Sequence, residues 1–120
     1  MIELKKELIK YALKLNSTNL SPLRSGNVST RVTKDNVEGF YLTPSGKRYE
    51  DLVPEDIVFL SIKEEYDNLK LFNSSLNPSS EWRFHQDIYR KKKEAKAIVH
   101  AHSPHATAVS SHGKSVPAFH

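Results

Sequence analysis

A chain of 120 residues has room for one domain around one modest core. It contains no cysteine, which excludes disulfide scaffolds, thiol catalysis and cysteine-ligated zinc, and no apolar run approaches the roughly 20 residues of a membrane helix. The net charge of +4, from 18 Lys and Arg against 14 Asp and Glu, is spread along the chain and lacks the basic stripe with interleaved aromatics of a nucleic-acid binder.

Residues 2–15 predict an amphipathic helix. Leu4, Leu8, Tyr11 and Leu15 recur at helical spacing, and Ile9, Ala12 and Leu13 widen the face. The opening Met-Ile-Glu-Leu-Lys-Lys has no uninterrupted apolar segment of the kind a signal peptide needs, so a cytoplasmic location is expected. Asn16–Ser25 is turn-rich and contains Pro22. Asn27–Thr33 alternates Val28 and Val32 with polar residues and predicts a strand. Lys34-Asp35-Asn36 predicts a turn and Phe40–Thr43 a second strand, together a hairpin. Pro44-Ser45-Gly46 breaks it. A short turn or helix at Tyr49–Leu52 leads to Pro54, Ile57–Ile62 predicts a strand, and Lys63–Asn68 a polar turn. Ser79–Lys92 predicts the second helix, with Ser79 or Ser80 as N-cap and Trp82, His85, Ile88 and Tyr89 on one face, where His85 is expected to pack. The dense run Lys91-Lys92-Lys93 reads as its solvated end. Ala97–His102 predicts a strand, Ser103-Pro104 opens a short helix ended by Gly113, and Ser115–His120 looks like the start of a further strand. This order predicts an α+β or α/β class, a sheet with helices packed on it. A chain that stops on entering a strand suggests a missing C-terminal part.

Three features carry chemistry. His100-Ala101-His102 lies on a predicted strand, where side chains at i and i+2 share a face. Two imidazoles at a strand end can meet one divalent metal, but a zinc site needs three or four protein ligands, so two polar residues on a solvent face is the competing reading. Glu81 falls in the first turn of the second helix, where the helix dipole alone favours a carboxylate by about 0.3–1 kcal/mol; the functional reading makes it a general base beside a metal. Ser25-Gly26-Asn27, Thr43-Pro44-Ser45-Gly46 and Pro78-Ser79-Ser80 each combine freed backbone N–H groups with a hydroxyl or amide. Proteins hold phosphate this way without a basic cluster, although each loop is by itself also an ordinary turn or cap. His105 and His112 are expected to be structural, the first in a helix's opening turn and the second beside Gly113.

The ordered string Ser-Gly-Asn-Val-Ser (25–29), Thr-Pro-Ser-Gly (43–46), Pro-Ser-Ser-Glu-Trp-Arg-Phe-His (78–85), Val-His-Ala-His-Ser (99–103) and Val-Pro-Ala-Phe-His (116–120) resembles the class II aldolase/adducin family. The likeness runs from the first helix to the last residue. It is nearest to the members acting on ketose 1-phosphates of the L-fuculose 1-phosphate kind, since Glu81 matches their acidic residue where the related 4-epimerases carry Asp. The resemblance implies a three-layer fold, a central and mainly antiparallel sheet flanked by helices. It implies a sugar phosphate bound at its phosphate by Gly26, Asn27, Ser45, Gly46, Ser79 and Ser80. It implies one Zn2+ per subunit, or another divalent metal, held by Glu81, His100 and His102, with Glu81 doubling as the catalytic acid/base. The implied reaction is reversible retro-aldol cleavage to dihydroxyacetone phosphate and an aldehyde, in a homotetramer with no nucleic-acid or membrane partner and no Schiff-base lysine. His120 matches a position that is not a ligand, and the third zinc histidine of the family falls beyond it. Members are considerably longer, so the 120-residue chain is expected to be truncated and inactive alone. A sugar-phosphate dehydratase, 4-epimerase or decarboxylase of the same family are the alternatives, as is a non-catalytic adducin-like binding module, against which Glu81, His100 and His102 argue.

Overall fold

The computed structural model describes residues 2–18, 26–66 and 76–101. Helix α1 (Ile2–Ser17) is followed by strands β1 (Asn27–Lys34) and β2 (Val37–Leu42), two short 3-10 turns at Tyr49–Asp51 and Pro54–Asp56, strand β3 (Val58–Ser61), helix α2 (Trp82–Lys91) and strand β4 (Ala97–His100). Every strand pairing is antiparallel, in the order β3-β2-β1-β4.

The β1–β2 hairpin is tighter than its sequence predicts. Asp35 and Asn36 both take positive φ, 50° and 65°, so Lys34 pairs directly with Val37 across a two-residue turn. That turn matches the twist of the flanking strands, and Asp and Asn tolerate the left-handed region better than other side chains. The second strand therefore begins at Val37, three residues before the Phe40 start expected from hydrophobic pattern. In β2, Gly39 accommodates the neighbouring strand: a Cβ there would clash with the Leu60 carbonyl oxygen and the Phe59 ring.

The pleat divides the molecule into three layers. On one face, Val28, Val32 and Tyr41 pack against Leu8, Ala12 and Leu15 of α1, with Tyr49, Leu52 and Ile57 from the 3-10 segment. On the other, Phe40, Leu42, Val58 and Leu60 pack against Trp82 and Tyr89 of α2. The expected antiparallel sheet flanked by helices is present in the described residues.

Helix α2 is tied to the sheet at both ends. Arg31 donates from Nε to the Ala95 carbonyl (2.7 Å) and from Nη2 to those of Tyr89 (3.1 Å) and Lys92 (2.9 Å); the last two are acceptors that a helix C-terminus leaves open. At its start, Glu81 is the N-cap residue, not Ser79 or Ser80 as the sequence predicts. The Ser79 N–H donates to the Thr43 carbonyl at 3.0 Å, which holds Ser79 in the loop and moves the first helical turn onward. Ser79 still serves the helix start: its carbonyl accepts from Trp82 N–H (3.1 Å) and its Oγ from Glu81 N–H (3.4 Å). Residues Lys91, Lys92 and Lys93 are exposed, as expected of a helix end. His102, the helix expected from Ser103, and the strand expected at Ser115–His120 lie outside the described residues.

Candidate active site

The three small-residue loops, far apart in sequence, are stitched together by backbone groups. Thr43 N–H donates to the Val28 carbonyl (3.2 Å), while Val28 N–H donates to Thr43 Oγ1 (3.3 Å). Pro44 and Pro78 form an isolated antiparallel bridge. Neither proline has an N–H to give, and the bonds come from their neighbours: Ser45 N–H to the Asn77 carbonyl and Ser79 N–H to the Thr43 carbonyl, both 3.0 Å. Gly46 takes φ 79°, a backbone conformation that glycine enters without steric cost. Tyr49 closes the assembly by donating its hydroxyl to the Gly26 carbonyl. Burial pushes the Tyr49 phenol pKa up, and the nearby Glu81 charge adds to the shift, so the group stays a donor.

These bonds leave a cavity of about 140 Å³ lined by Gly26, Asn27, Ser45, Gly46, Ser79, Ser80 and Glu81. That is several times the roughly 30 Å³ share of a water molecule. All six positions expected to hold phosphate share one wall system with the expected catalytic carboxylate. Lys47 also lines it, and its Nζ is held 2.6 Å from Asp56 Oδ2, which also accepts Val53 N–H at 3.0 Å. Burial pushes the Asp56 carboxyl up, but the lysine and the amide outweigh it and hold it below the usual carboxylate range.

Glu81 and His100 converge at the edge of this cavity. The antiparallel register sets His100 opposite Asn27, and the start of α2 brings Glu81 to the same place. Glu81 Oε2 lies 2.9 Å from His100 Nε2 and accepts a longer hydrogen bond from Asn27 Nδ2 at 3.4 Å. The His100 ring stands edge-on to Phe84, centroids 5.3 Å apart. A carboxylate oxygen and an imidazole nitrogen meeting at one partly exposed point form a donor pair suited to a divalent metal such as zinc. No group of three or more candidate ligands gathers among the described residues; of the expected set, Glu81 and His100 come together, and His102 lies outside the described residues.

His85 packs as its sequence position predicts, and it does more than pack. It is fully buried on the packed face of α2, but it is bonded at both ring nitrogens. Nε2 contacts Asn27 Oδ1, and Nδ1 lies 2.6 Å from Ser29 Oγ, which in turn lies 2.8 Å from the Tyr89 hydroxyl. Burial, reinforced by His100, pushes the His85 pKa down to about 4, against a smaller opposing pull from Glu81. Burial pushes the Tyr89 phenol up to about 12. Both side chains are therefore neutral near pH 7. Ser29 is two residues from Asn27 on a strand, and Tyr89 four residues from His85 on a helix; these spacings carry the signal, which becomes readable only once strand and helix are known to pack.

The family model for the class II aldolase and adducin N-terminal domain matches residues 6–120. A 5-methylthioribulose-1-phosphate/5-deoxyribulose-1-phosphate aldolase of Rhodospirillum rubrum is 37% identical over 119 residues, covering 99% of this chain and 49% of that protein. The L-fuculose phosphate aldolase of Escherichia coli K12 is 37% identical over 118 residues, covering 98% and 50%. Among solved structures, an L-fuculose 1-phosphate aldolase superposes with a TM-score of 0.76 at 32% identity, over 92% of this chain and 49% of that one. The chain spans about half the length of the curated relatives it matches.

Proposed function

Because the chain belongs to the class II aldolase and adducin N-terminal domain family, we propose that the full-length protein containing it acts as a zinc-dependent sugar-phosphate aldolase and that these 120 residues alone do not. The full-length protein cleaves a ketose 1-phosphate reversibly to dihydroxyacetone phosphate and an aldehyde, and it works as a cytoplasmic homotetramer. The observation that carries this reading is the convergence of Glu81 and His100 on the rim of the cavity lined by Gly26, Asn27, Ser45, Gly46, Ser79 and Ser80.

The chemistry divides among these residues. Backbone N–H groups and hydroxyls of the three loops bind the substrate phosphate, and that binding energy fixes the reacting carbons beside the carboxylate. Glu81, His100 and His102 would hold the metal. Bound zinc supplies Lewis acidity at the substrate's hydroxyl and carbonyl oxygens. As the C3–C4 bond breaks, the C4 hydroxyl gives its proton to water, the C4–O bond becomes the aldehyde carbonyl and the C3–C4 electron pair passes to C3, next to the carbonyl. Glu81 takes up a proton from water and delivers it to C3, acting as general acid in this direction and general base in synthesis.

The test is release of dihydroxyacetone phosphate from L-fuculose 1-phosphate and from 5-deoxyribulose 1-phosphate by the full-length protein, before and after chelation, with zinc analysis of the same protein and the 120-residue chain assayed beside it as the form expected not to turn over. Cleavage that is lost on chelation and restored by Zn2+ is expected. Glu81→Gln is expected to lower kcat by about 10²–10⁴-fold. Cleavage indifferent to chelation, or a Glu81→Gln variant with unchanged kcat, would overturn the reading.

A further inference from the structure

The hydrogen bonds around Asn27 fix every proton in a buried chain that leads to Glu81. An ionised carboxylate only accepts, so the group Asn27 turns to Glu81 Oε2 is its NH2. Its Oδ1 then faces His85 Nε2, which must carry a proton to bond there. With the ring neutral, Nδ1 is left as an acceptor, so Ser29 donates its Oγ–H to it across 2.6 Å. Having spent its only proton, Ser29 Oγ accepts from the Tyr89 hydroxyl at 2.8 Å. Ser29, His85 and Tyr89 are each no more than 1% exposed, and Asn27 is 3% exposed, so water does not compete for these bonds. One tautomer and one amide orientation satisfy the whole chain. A 180° flip of Asn27 would turn its carbonyl toward the carboxylate and its NH2 toward a ring N–H, breaking two bonds at once.

We propose that Tyr89, Ser29 and His85 are positioning residues for the aldolase reaction: they lock the Asn27 amide so that it holds the Glu81 carboxylate beside His100. The proposal rests on the role of Glu81 given above, but its first readout does not. None of the three touches the cavity; they act through Asn27.

The experiment uses the full chain labelled with 15N, and reads the His85 tautomer from long-range imidazole correlations. The wild-type ring is expected in the Nε2–H form alone. Ser29→Ala removes the donor to Nδ1 and is expected to bring up the Nδ1–H form, with the Asn27 side-chain amide resonances broadened or doubled. Zn2+ affinity, measured with the metal alone, is expected to fall about tenfold, as for loss of an outer partner of a metal ligand. Tyr89→Phe, which keeps the packing and protects the test against a misfolded variant, is expected to act in the same direction by a smaller factor. His85→Gln still offers Asn27 an N–H and is expected to retain more Zn2+ affinity than His85→Leu. In cleavage assays of the full-length protein these variants are expected to lose kcat with KM little changed. A wild-type ring in the Nδ1–H form would overturn the proposal, as would Ser29→Ala and Tyr89→Phe proteins with an unaltered tautomer and amide. Absence of Zn2+ binding in the wild type would overturn the metal site assigned above, while the tautomer readout would still decide the positioning chain.

Discussion

Val28 and Val32 of β1 pack against Leu8, Ala12 and Leu15, while Asn27, Ser29 and Arg31 on the same strand turn the other way and bond to α2 along its length. The α1 face is held by apolar burial, which is non-directional and tolerates small shifts. The α2 face adds directional bonds at three successive positions: Asn27 near the helix start, Ser29 in its middle and Arg31 at its end. Such bonds weaken steeply as distance and angle depart from ideal, so they define where the helix lies along the strand. Precision is therefore concentrated on the α2 face. Displacing α1 by a fraction of an ångström disturbs packing alone, whereas the same displacement of α2 carries Glu81 away from His100 and from the loops that line the cavity.

The largest separation of the two faces is expected from Leu8→Ala, which should cost about 3 kcal/mol in denaturant unfolding. Leu8→Met, conserving volume, should cost less than about 1.5 kcal/mol. Both proteins, where folded, should keep the wild-type His85 tautomer; a changed tautomer would show that the faces are coupled. Gly39→Ala tests the strand between them, and the contact with the Leu60 carbonyl should cost about 2 kcal/mol through overpacking. Acid should act on the α2 face through His85. Its pKa is near 6.5 when unfolded and about 4 when folded, so the unfolded chain binds the proton first as pH falls. The stability that this histidine contributes is complete above pH 6.5 and is lost as pH falls through 4, with about 2 kcal/mol gone by pH 5. His85→Gln should flatten that part of the pH–stability curve, measured by urea unfolding from pH 7 to 5; an equally steep curve would place the titration elsewhere. The smallest effect should come from Tyr89→Phe. It keeps the ring against Phe40 and under Arg31 and removes one hydroxyl, for about 1 kcal/mol.

Local periodicity made much of the fold legible. Helix α1, the β1 strand and the buried stripe Trp82, His85 and Tyr89 follow from repeats of two or of three to four residues, because burial on one face imposes those periods. The edges were less legible. β2 starts early because Asp35 and Asn36 both take positive φ, and α2 starts late because Ser79 is bonded to Thr43, thirty-six residues away. The small-residue loops were visible as a motif string, but nothing local says that Pro44 and Pro78 pair. His85 was legible as buried and illegible as bonded: its partners Asn27 and Ser29 lie 58 and 56 residues back along the chain.

The element types, the apolar faces, the absence of thiol chemistry and the residue types able to hold a phosphate or a divalent metal can all be read along the chain. These depend on composition and short-range spacing, which a chain carries before it folds. It takes the folded chain to bring six loop positions and Glu81 around one cavity, to set Glu81 2.9 Å from His100, and to make a buried histidine a link in a hydrogen-bonded chain. Those facts depend on strand register and on how a helix lies along a sheet, and both are set by contacts between residues distant in sequence.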